Sequence, residues 1–179
     1  AFLVALTMSH AVLAGSFYIS PNGNGADGRS WPTAWKTFRA IDWSNIKPGD
    51  FIYLDGGTTS KIHKGTLNVG ASGAAGQPVT ITRSVDSGHN GIPIFDGGSP
   101  SGIGVKISSR NYVTVSGLTV RNYTDRRNQS KSTGNIRVAR SNNIIIDNNR
   151  LHIINRGGVF IENSTNSRIT NNNITTSTF

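Results

Sequence analysis

The chain has 179 residues, of which 21 are glycine, 6 are proline and none is cysteine. The lack of cysteine excludes a disulfide scaffold and a thiolate zinc site, and no apolar run reaches the length of about 18 residues that a membrane span needs. The formal net charge is +9, and residues 101–179 hold 11 basic and 3 acidic side chains. This charge favours a polyanionic partner such as an acidic polysaccharide, a nucleic acid or an anionic surface.

Residues 1–14 form an apolar segment with no basic or acidic side chain, which ends in Val12-Leu13-Ala14. This pattern is typical of the apolar core and cleavage site of a secretory signal peptide. The basic start of such a peptide is missing, so we interpret the segment as a truncated signal peptide, with a short buried helix or strand as the alternative. We therefore expect a secreted protein, extracellular or periplasmic, with no membrane insertion after cleavage.

Residues 15–50 are predicted to form an N-terminal strand, a loop and a capping helix. The strand covers residues 17–20, and the glycine-rich loop that follows ends near Pro32. Trp35, Phe38 and Ile41 recur every three residues and predict one apolar helix face over about residues 33–45. We expect this helix to pack over the end of a stack of strands.

From Phe51 onward, short β-branched runs alternate with turns, so βαβ units are excluded and a sandwich or a solenoid remains. Ile136, Val138 and Ile146 recur 23 positions later as Val159, Ile161 and Ile169. An earlier turn matches at an offset of 31, and residues 124–134 then form an inserted loop. This repeat predicts an all-β fold, a parallel β-helix over residues 51–179. The residues expected to point inward are Ile136, Val138, Ile144, Ile146, Val159, Ile161 and Ile169.

Several segments carry a family resemblance: FYISPNGNGADG, WPTAWKTFRAI, KPGDFIYLDGG, GTLNVGASGAAGQPVTIT and IPIFDGG. Together they resemble the N-terminal section of secreted bacterial right-handed parallel β-helix proteins of the pectin-lyase-like group. They are most similar to chondroitinase-B and alginate-lyase-type enzymes, with pectate lyases close behind. One departure is that Gly57-Thr58-Thr59-Ser60 stands where the group commonly has an aromatic residue after its Gly-Thr turn.

The resemblance implies a polysaccharide lyase that acts on uronic-acid chains. Such an enzyme neutralises the uronate carboxylate, and a base then removes the C5 proton while the 4-linked oxygen leaves. A non-catalytic β-helix adhesin or glycan-binding surface protein is the alternative. Nucleic-acid binding is a third interpretation that we do not adopt, because the secretion signal and the shortage of exposed aromatic residues oppose it.

Basic residues supply the predicted substrate-binding site. Lys106 and Arg137 occupy equivalent outward positions on successive coils, and the inserted loop contributes Arg126, Arg127 and Lys131. The catalytic candidates are His152, which should point outward between Leu151 and Ile153, together with Lys131 and Arg156. His63 and His89 are assigned to loops without partners.

No metal or other cofactor is predicted in this segment, because the carboxylates after residue 100 lie on different turns. Calcium is expected only in coils that would follow Phe179. The sequence shows no cap after its last predicted strand, so we expect an incomplete solenoid that lacks lyase activity when expressed alone. On the same reasoning, the main catalytic residues are expected on later coils.

Overall fold

The computed structural model describes residues 13–98, 102–123, 134–153 and 157–176. These residues contain strands and two short 3-10 turns. The strands are β1 (Ser16–Ile19), β2 (Phe51–Leu54), β3 (Ser60–Lys64), β4 (Leu67–Val69), β5 (Val79–Arg83), β6 (Ile92–Asp96), β7 (Ile103–Ser108), β8 (Asn111–Ser116), β9 (Thr119–Arg121), β10 (Gly134–Ala139), β11 (Asn142–Asp147), β12 (Arg150–Ile153), β13 (Val159–Glu162), β14 (Arg168–Thr170) and β15 (Asn173–Thr176).

The strands form three sheets, and neighbouring strands in each sheet run parallel to one another. Sheet I has the order β1-β2-β5-β8-β11-β14, sheet II has the order β3-β6-β9-β12-β15, and sheet III has the order β4-β7-β10-β13. From β3 onward, successive strands enter sheets II, III and I in turn. This arrangement is a parallel β-helix, in which each coil bonds to the coils on either side of it.

Alternating side chains explain why these segments form strands. On sheet I the inward residues Phe17, Ile52, Ile81, Val115 and Ile146 stand in one continuous register. All five are at most 1% exposed, whereas their neighbours within each strand, such as Tyr18 and Tyr53, are half-buried and face outward. Because the side-chain period of a strand is two, this alternation fixes which face of each strand is buried.

The offsets of the sequence repeat match the pairing of residues on neighbouring strands. Ile136 pairs with Val159, and Val138 pairs with Ile161, as the offset of 23 predicts. Val105 pairs with Ile136, as the offset of 31 predicts. Ile169 also pairs with Ile146, but it is 44% exposed because β14 is the last strand of sheet I among the described residues.

Asparagine side chains bond between coils at the turns. Asn149 is 2% exposed, and its Nδ2 donates to the Oδ1 of Asn172 at 3.0 Å and to the carbonyl of Val115 at 3.0 Å. Its Oδ1 accepts the backbone N–H of Leu118 at 3.1 Å. Neighbouring Asn148 and Asn171 adopt the left-handed conformation, which asparagine tolerates better than most residues. Asn149 and Asn172 therefore form a hydrogen-bonded asparagine ladder between coils at this turn.

The predicted capping helix is wrong. The segment instead contains two 3-10 turns, Phe38–Ala40 and Trp43–Asn45, and Thr37 between Trp35 and the first turn is extended. Trp35 forms a parallel bridge with Ile19 and stacks on the Phe17 ring at 5.5 Å. A spacing of three suits a 3-10 turn as well as a helix, so the apolar residues reach the core without an α-helix.

The N-terminal section is also part of the solenoid. β1 is the first strand of sheet I and pairs along its whole length with β2. The predicted signal peptide lies almost wholly outside the described residues and stays a prediction. Among the described residues, no helix is long and apolar enough to cross a membrane.

Candidate functional site

A cavity of about 600 Å³ opens where sheet II passes into sheet III. Its floor is formed by the turn after β3 and by the glycines that follow β6, and Tyr123 closes one side. The glycines leave room for the cavity because they have no side chain. The lining residues are Ile62, Lys64, Gly65, Thr66, Asp96, Gly97, Gly98, Gly102 and Tyr123.

Asp96 supplies a carboxylate to this cavity. Its Oδ1 accepts hydrogen bonds from Asn122 Nδ2 at 2.9 Å and from the Gly98 N–H at 3.0 Å. Its Oδ2 accepts a hydrogen bond from Arg121 Nε at 2.8 Å. Partial burial would raise the pKa of Asp96, but the hydrogen bonds from Asn122 and Arg121 outweigh it and hold that pKa below its usual value. Asp96 is therefore ionised at neutral pH and fixed in position.

Tyr123 lines the same cavity. Its hydroxyl donates to the carbonyl of Gly65 at 2.6 Å, which ties the end of β9 to the turn after β3. Burial raises the pKa of Tyr123, and the nearby Asp96 charge raises it further. The phenol thus stays un-ionised and keeps its hydrogen bond at any physiological pH.

Lys64 lies between this cavity and a second one of about 480 Å³, and it lines both. The second cavity also has Arg39 and Asn68 in its wall. Lys64 stands in register with Asp96, yet within the described residues it forms no ion pair. Its side chain is exposed and adds positive charge to both cavities.

Outward residues of sheet III extend this positive charge along the stack. Asn68 is in register with Lys106, and Lys106 is in register with Arg137. Arg39 and Lys64 line the second cavity together with Asn68, and Asn68 leads to Lys106 and Arg137 on the next two coils. We call the four cations Arg39, Lys64, Lys106 and Arg137 the basic track. Arg137 is ion-paired with Glu162 on the next coil.

The structure confirms that Lys106 and Arg137 are neighbours on successive coils. His152 is half-buried and alternates with the buried Leu151, and its Nδ1 lies 3.0 Å from Thr175 Oγ1. The other predicted residues, Arg126, Arg127, Lys131 and Arg156, lie outside the described residues and stay predictions. The sequence did not point to Arg39, Lys64, Asp96, Arg121 or Tyr123.

The assignment of His63 to a loop is wrong, whereas His89 does lie in the turn between β5 and β6, and both histidines have partners. His63 belongs to β3, is 2% exposed, and its Nε2 lies 2.7 Å from the carbonyl oxygen of Asp55. His89 Nδ1 lies 3.0 Å from Asp55 Oδ1. Both histidines are held by Asp55, the residue that directly follows β2, on the first coils of the solenoid.

Asp55 is the centre of this second polar cluster. Its fully buried carboxylate accepts hydrogen bonds from Lys61 Nζ at 2.6 Å, Ser20 Oγ at 2.6 Å and the Gly57 N–H at 2.7 Å. Burial alone would raise the pKa of Asp55, but the hydrogen bonds led by Lys61 and Ser20 lower it to about 2. The arrangement satisfies the charge internally, which is typical of a structural carboxylate.

No group of three or more metal-ligating side chains occurs within the described parts of the chain. The carboxylates of Asp55 and Asp96 instead pair with cationic side chains.

No family model and no curated protein sequence matches the chain. Solved structures share its fold. A GH136 lacto-N-biosidase from Eubacterium ramulus has a TM-score of 0.68 and 15% identity, covering 92% of this chain and 35% of that chain. Pectate lyase Pel9A has a TM-score of 0.62 and 22% identity, and the match covers 88% of this chain and 38% of that chain. A rhamnogalacturonan lyase has a TM-score of 0.58 and 15% identity, covering 90% and 51%.

The chain therefore spans between about a third and a half of the length of these proteins. At these identities the comparison shows the fold. The resemblance to pectin-lyase-like β-helix proteins is confirmed at that level, because the similar structures are β-helices of the same kind and the sheets are parallel.

Proposed function

We propose that this chain is part of a polysaccharide lyase and binds an acidic polysaccharide along the basic track. The observation that carries the proposal is the placement of Lys64 beside two cavities, with Lys106 and Arg137 continuing the positive charge on successive coils. A uronic-acid chain carries one carboxylate per uronate, so a row of cations can meet several of them. The pectate lyase and rhamnogalacturonan lyase that share the fold support this class of substrate.

In a lyase, cations of the track would neutralise the uronate carboxylate and so make the C5 proton more acidic. A base takes that proton, the electron pair forms the C4–C5 double bond, and the C4–O bond breaks as its oxygen receives a proton. His152, Lys131 and Arg156 stay the candidates for these proton transfers. The described residues themselves support the binding and neutralising role.

The test measures binding of polygalacturonate and alginate by calorimetry at low and at high salt. We expect the K64A/K106A variant to raise the dissociation constant about tenfold, because each exposed ionic contact contributes up to about 1 kcal/mol. The matched control is K36A/K47A, which removes two exposed lysines that line neither cavity. Equal affinity in both variants, with no salt dependence, would contradict the proposal.

A non-catalytic glycan-binding protein is the second candidate. Two cations of this region are already paired, Arg121 with Asp96 and Arg137 with Glu162, which suits a fixed binding surface better than proton transfer. A protein extended through its later coils separates the two functions. Release of unsaturated uronate, followed by its absorbance, indicates a lyase, whereas binding without product indicates a binding protein.

A further inference from the structure

A cluster of aromatic side chains stands on the outer face of sheet I, away from the basic track. Tyr18 of β1 is in register with Tyr53 of β2, and their ring centroids are 5.8 Å apart. Phe51 stacks beside Tyr53 at 5.7 Å with an interplanar angle of 10°. Trp31, from the loop after β1, meets the Tyr18 ring edge-on at 4.6 Å. All four are half-buried, and we call them the aromatic wall.

Trp31 is held in place by contacts beyond the wall. Trp31 stacks on the His89 ring at 3.9 Å with an interplanar angle of 7°, and its Nε1 donates to Asp86 Oδ2 at 2.9 Å. His89 is in turn fixed by the buried carboxylate of Asp55. A surface whose rings are fixed before binding loses little conformational entropy when a ligand arrives.

Next to the wall, the outward residues become small and carry hydroxyl groups. Thr80 and Thr82 of β5 are in register with Phe51 and Tyr53. Thr114 and Ser116 of β8 continue the same two rows. We call these four residues the threonine shelf. Because their side chains are much shorter than the rings, the wall stands above the shelf and forms a step with it.

The charge of this face differs from that of the basic track. The two outward rows across β1, β2, β5 and β8 contain no charged side chain; they are Ser16, Phe51, Thr80 and Thr114, and Tyr18, Tyr53, Thr82 and Ser116. The rows continue as Ile145 and Arg168, and as Asp147 and Thr170, so charged side chains enter them only from β11 onward. Across β1, β2, β5 and β8 an acidic glycan finds no counter-charge in these rows. Their complement is an uncharged ligand with both an apolar face and many hydroxyl groups.

We propose that the aromatic wall and the threonine shelf bind a neutral glycan chain. A pyranose ring presents an apolar C–H face, which packs on aromatic rings, and equatorial hydroxyls, which bond to threonine and serine. The site is separate from the basic track, which lies on sheet III and at its corner with sheet II. The chain thus has a second sugar-binding face with a different specificity, and this inference does not depend on the lyase proposal.

The experiment titrates the chain with cellohexaose, mannohexaose and xylohexaose, following tryptophan and tyrosine fluorescence at low salt and at about 0.5 M salt. We expect saturable binding of at least one of these neutral probes at both salt concentrations. T82K places a charged side chain on the shelf beside Tyr53 without removing any ring of the wall, and we expect it to raise the dissociation constant about tenfold or more. Y53A should do the same by removing a ring.

The matched control is T119K, which adds the same group at a half-buried outward position of sheet II. It should leave neutral-glycan binding unchanged, with circular dichroism confirming that each variant is folded. No saturable binding of any neutral probe to the folded wild-type chain would overturn the inference. An equal loss in T119K would also overturn it.

Two further outcomes separate this inference from others. If sedimentation shows self-association of the chain that T82K abolishes, the face is a contact between copies and the inference is overturned. Polygalacturonate binding that responds to K64A/K106A but not to T82K supports two separate sites. Polygalacturonate binding without any neutral-glycan binding would overturn this inference and leave the acidic-polysaccharide proposal standing.

Discussion

The ammonium group of Lys61 donates to the fully buried carboxylate of Asp55 at 2.6 Å. This pair joins the start of β3 to the end of β2 on the first coils. Ser20, at the end of β1, reaches the same carboxylate, so three consecutive segments of the chain converge on one charge. The acid stability of the N-terminal coils should depend on it.

We predict that D55N removes one step from the pH dependence of stability. The pKa of Asp55 is about 2 in the folded chain, against an ordinary value of 3.8, so the unfolded chain takes up the proton first as the pH falls. The carboxylate therefore contributes about 2 kcal/mol above about pH 5, and this contribution is lost as the pH falls from about 4 to about 2. Denaturant unfolding at several pH values measures it. A D55N variant that keeps the wild-type acid slope would contradict the prediction.

His63 should show an earlier loss of stability on acidification. Burial lowers the pKa of His63, and the opposing effects of the Asp55 carbonyl and charge do not cancel it. Below the ordinary value of 6.5 the unfolded chain binds a proton that the folded chain refuses, so stability falls from that pH downward. NMR of the ring C–H groups measures the folded pKa directly. Titration of His63 at or above 6.5 in the folded chain would refute this.

Gly56 is predicted to resist substitution by alanine. A Cβ on Gly56 would lie 2.0 Å from the carbonyl oxygen of Gly91, which is backbone and cannot move aside cheaply. We expect G56A to lower the free energy of unfolding by about 1–3 kcal/mol. G102A is the control, since its nearest new neighbour is Tyr123 Cδ1 at 3.8 Å and it should be almost neutral. Similar losses in the two variants would show that the contact is not the cause.

The side chain of Asn149 should contribute far more to the free energy of unfolding than the side chains of the asparagines around it. N149A leaves the buried N–H of Leu118 and the carbonyl of Val115 without their partner, at a cost of about 3 kcal/mol. Asn173 is exposed, and we expect N173A to change the free energy of unfolding by less than about 0.5 kcal/mol. Thermal or denaturant unfolding compares the two. If N149A changes the free energy of unfolding as little as N173A does, the prediction is contradicted, and water has taken over the hydrogen bonds of the Asn149 side chain.

The sequence predicted the repeated part of the fold well, for a physical reason. Inward positions on successive coils, such as Ile136 and Val159, must stay apolar and in register, so their spacing can be read directly. The capping segment failed because Phe38 and Ile41 need only reach the core, which a 3-10 turn allows as well as a helix. Apolar spacing alone does not distinguish these two structures over so short a segment.

The candidate site was harder to predict. Lys106 and Arg137 were found because they lie on repeats of recognisable length. Lys64, Asp96 and Arg121 also stand in register, but the coils that separate them have unequal lengths, so no fixed offset links them. One signal was present: Asp-Gly-Gly occurs at Asp55 and again at Asp96, and each aspartate accepts the N–H of the second glycine. Each of these carboxylates also binds a cationic side chain.

The alternation of inward and outward residues has a consequence for engineering. Because inward rows such as Ile52, Ile81 and Val115 supply the core, the outward rows of each sheet can be rewritten without disturbing it. The outward face of each sheet then holds side chains in a regular array, with neighbouring rows one strand spacing of about 4.8 Å apart. A binding surface could therefore be designed on the outward face of one sheet while the inward rows and the outward faces of the other two sheets stay unchanged.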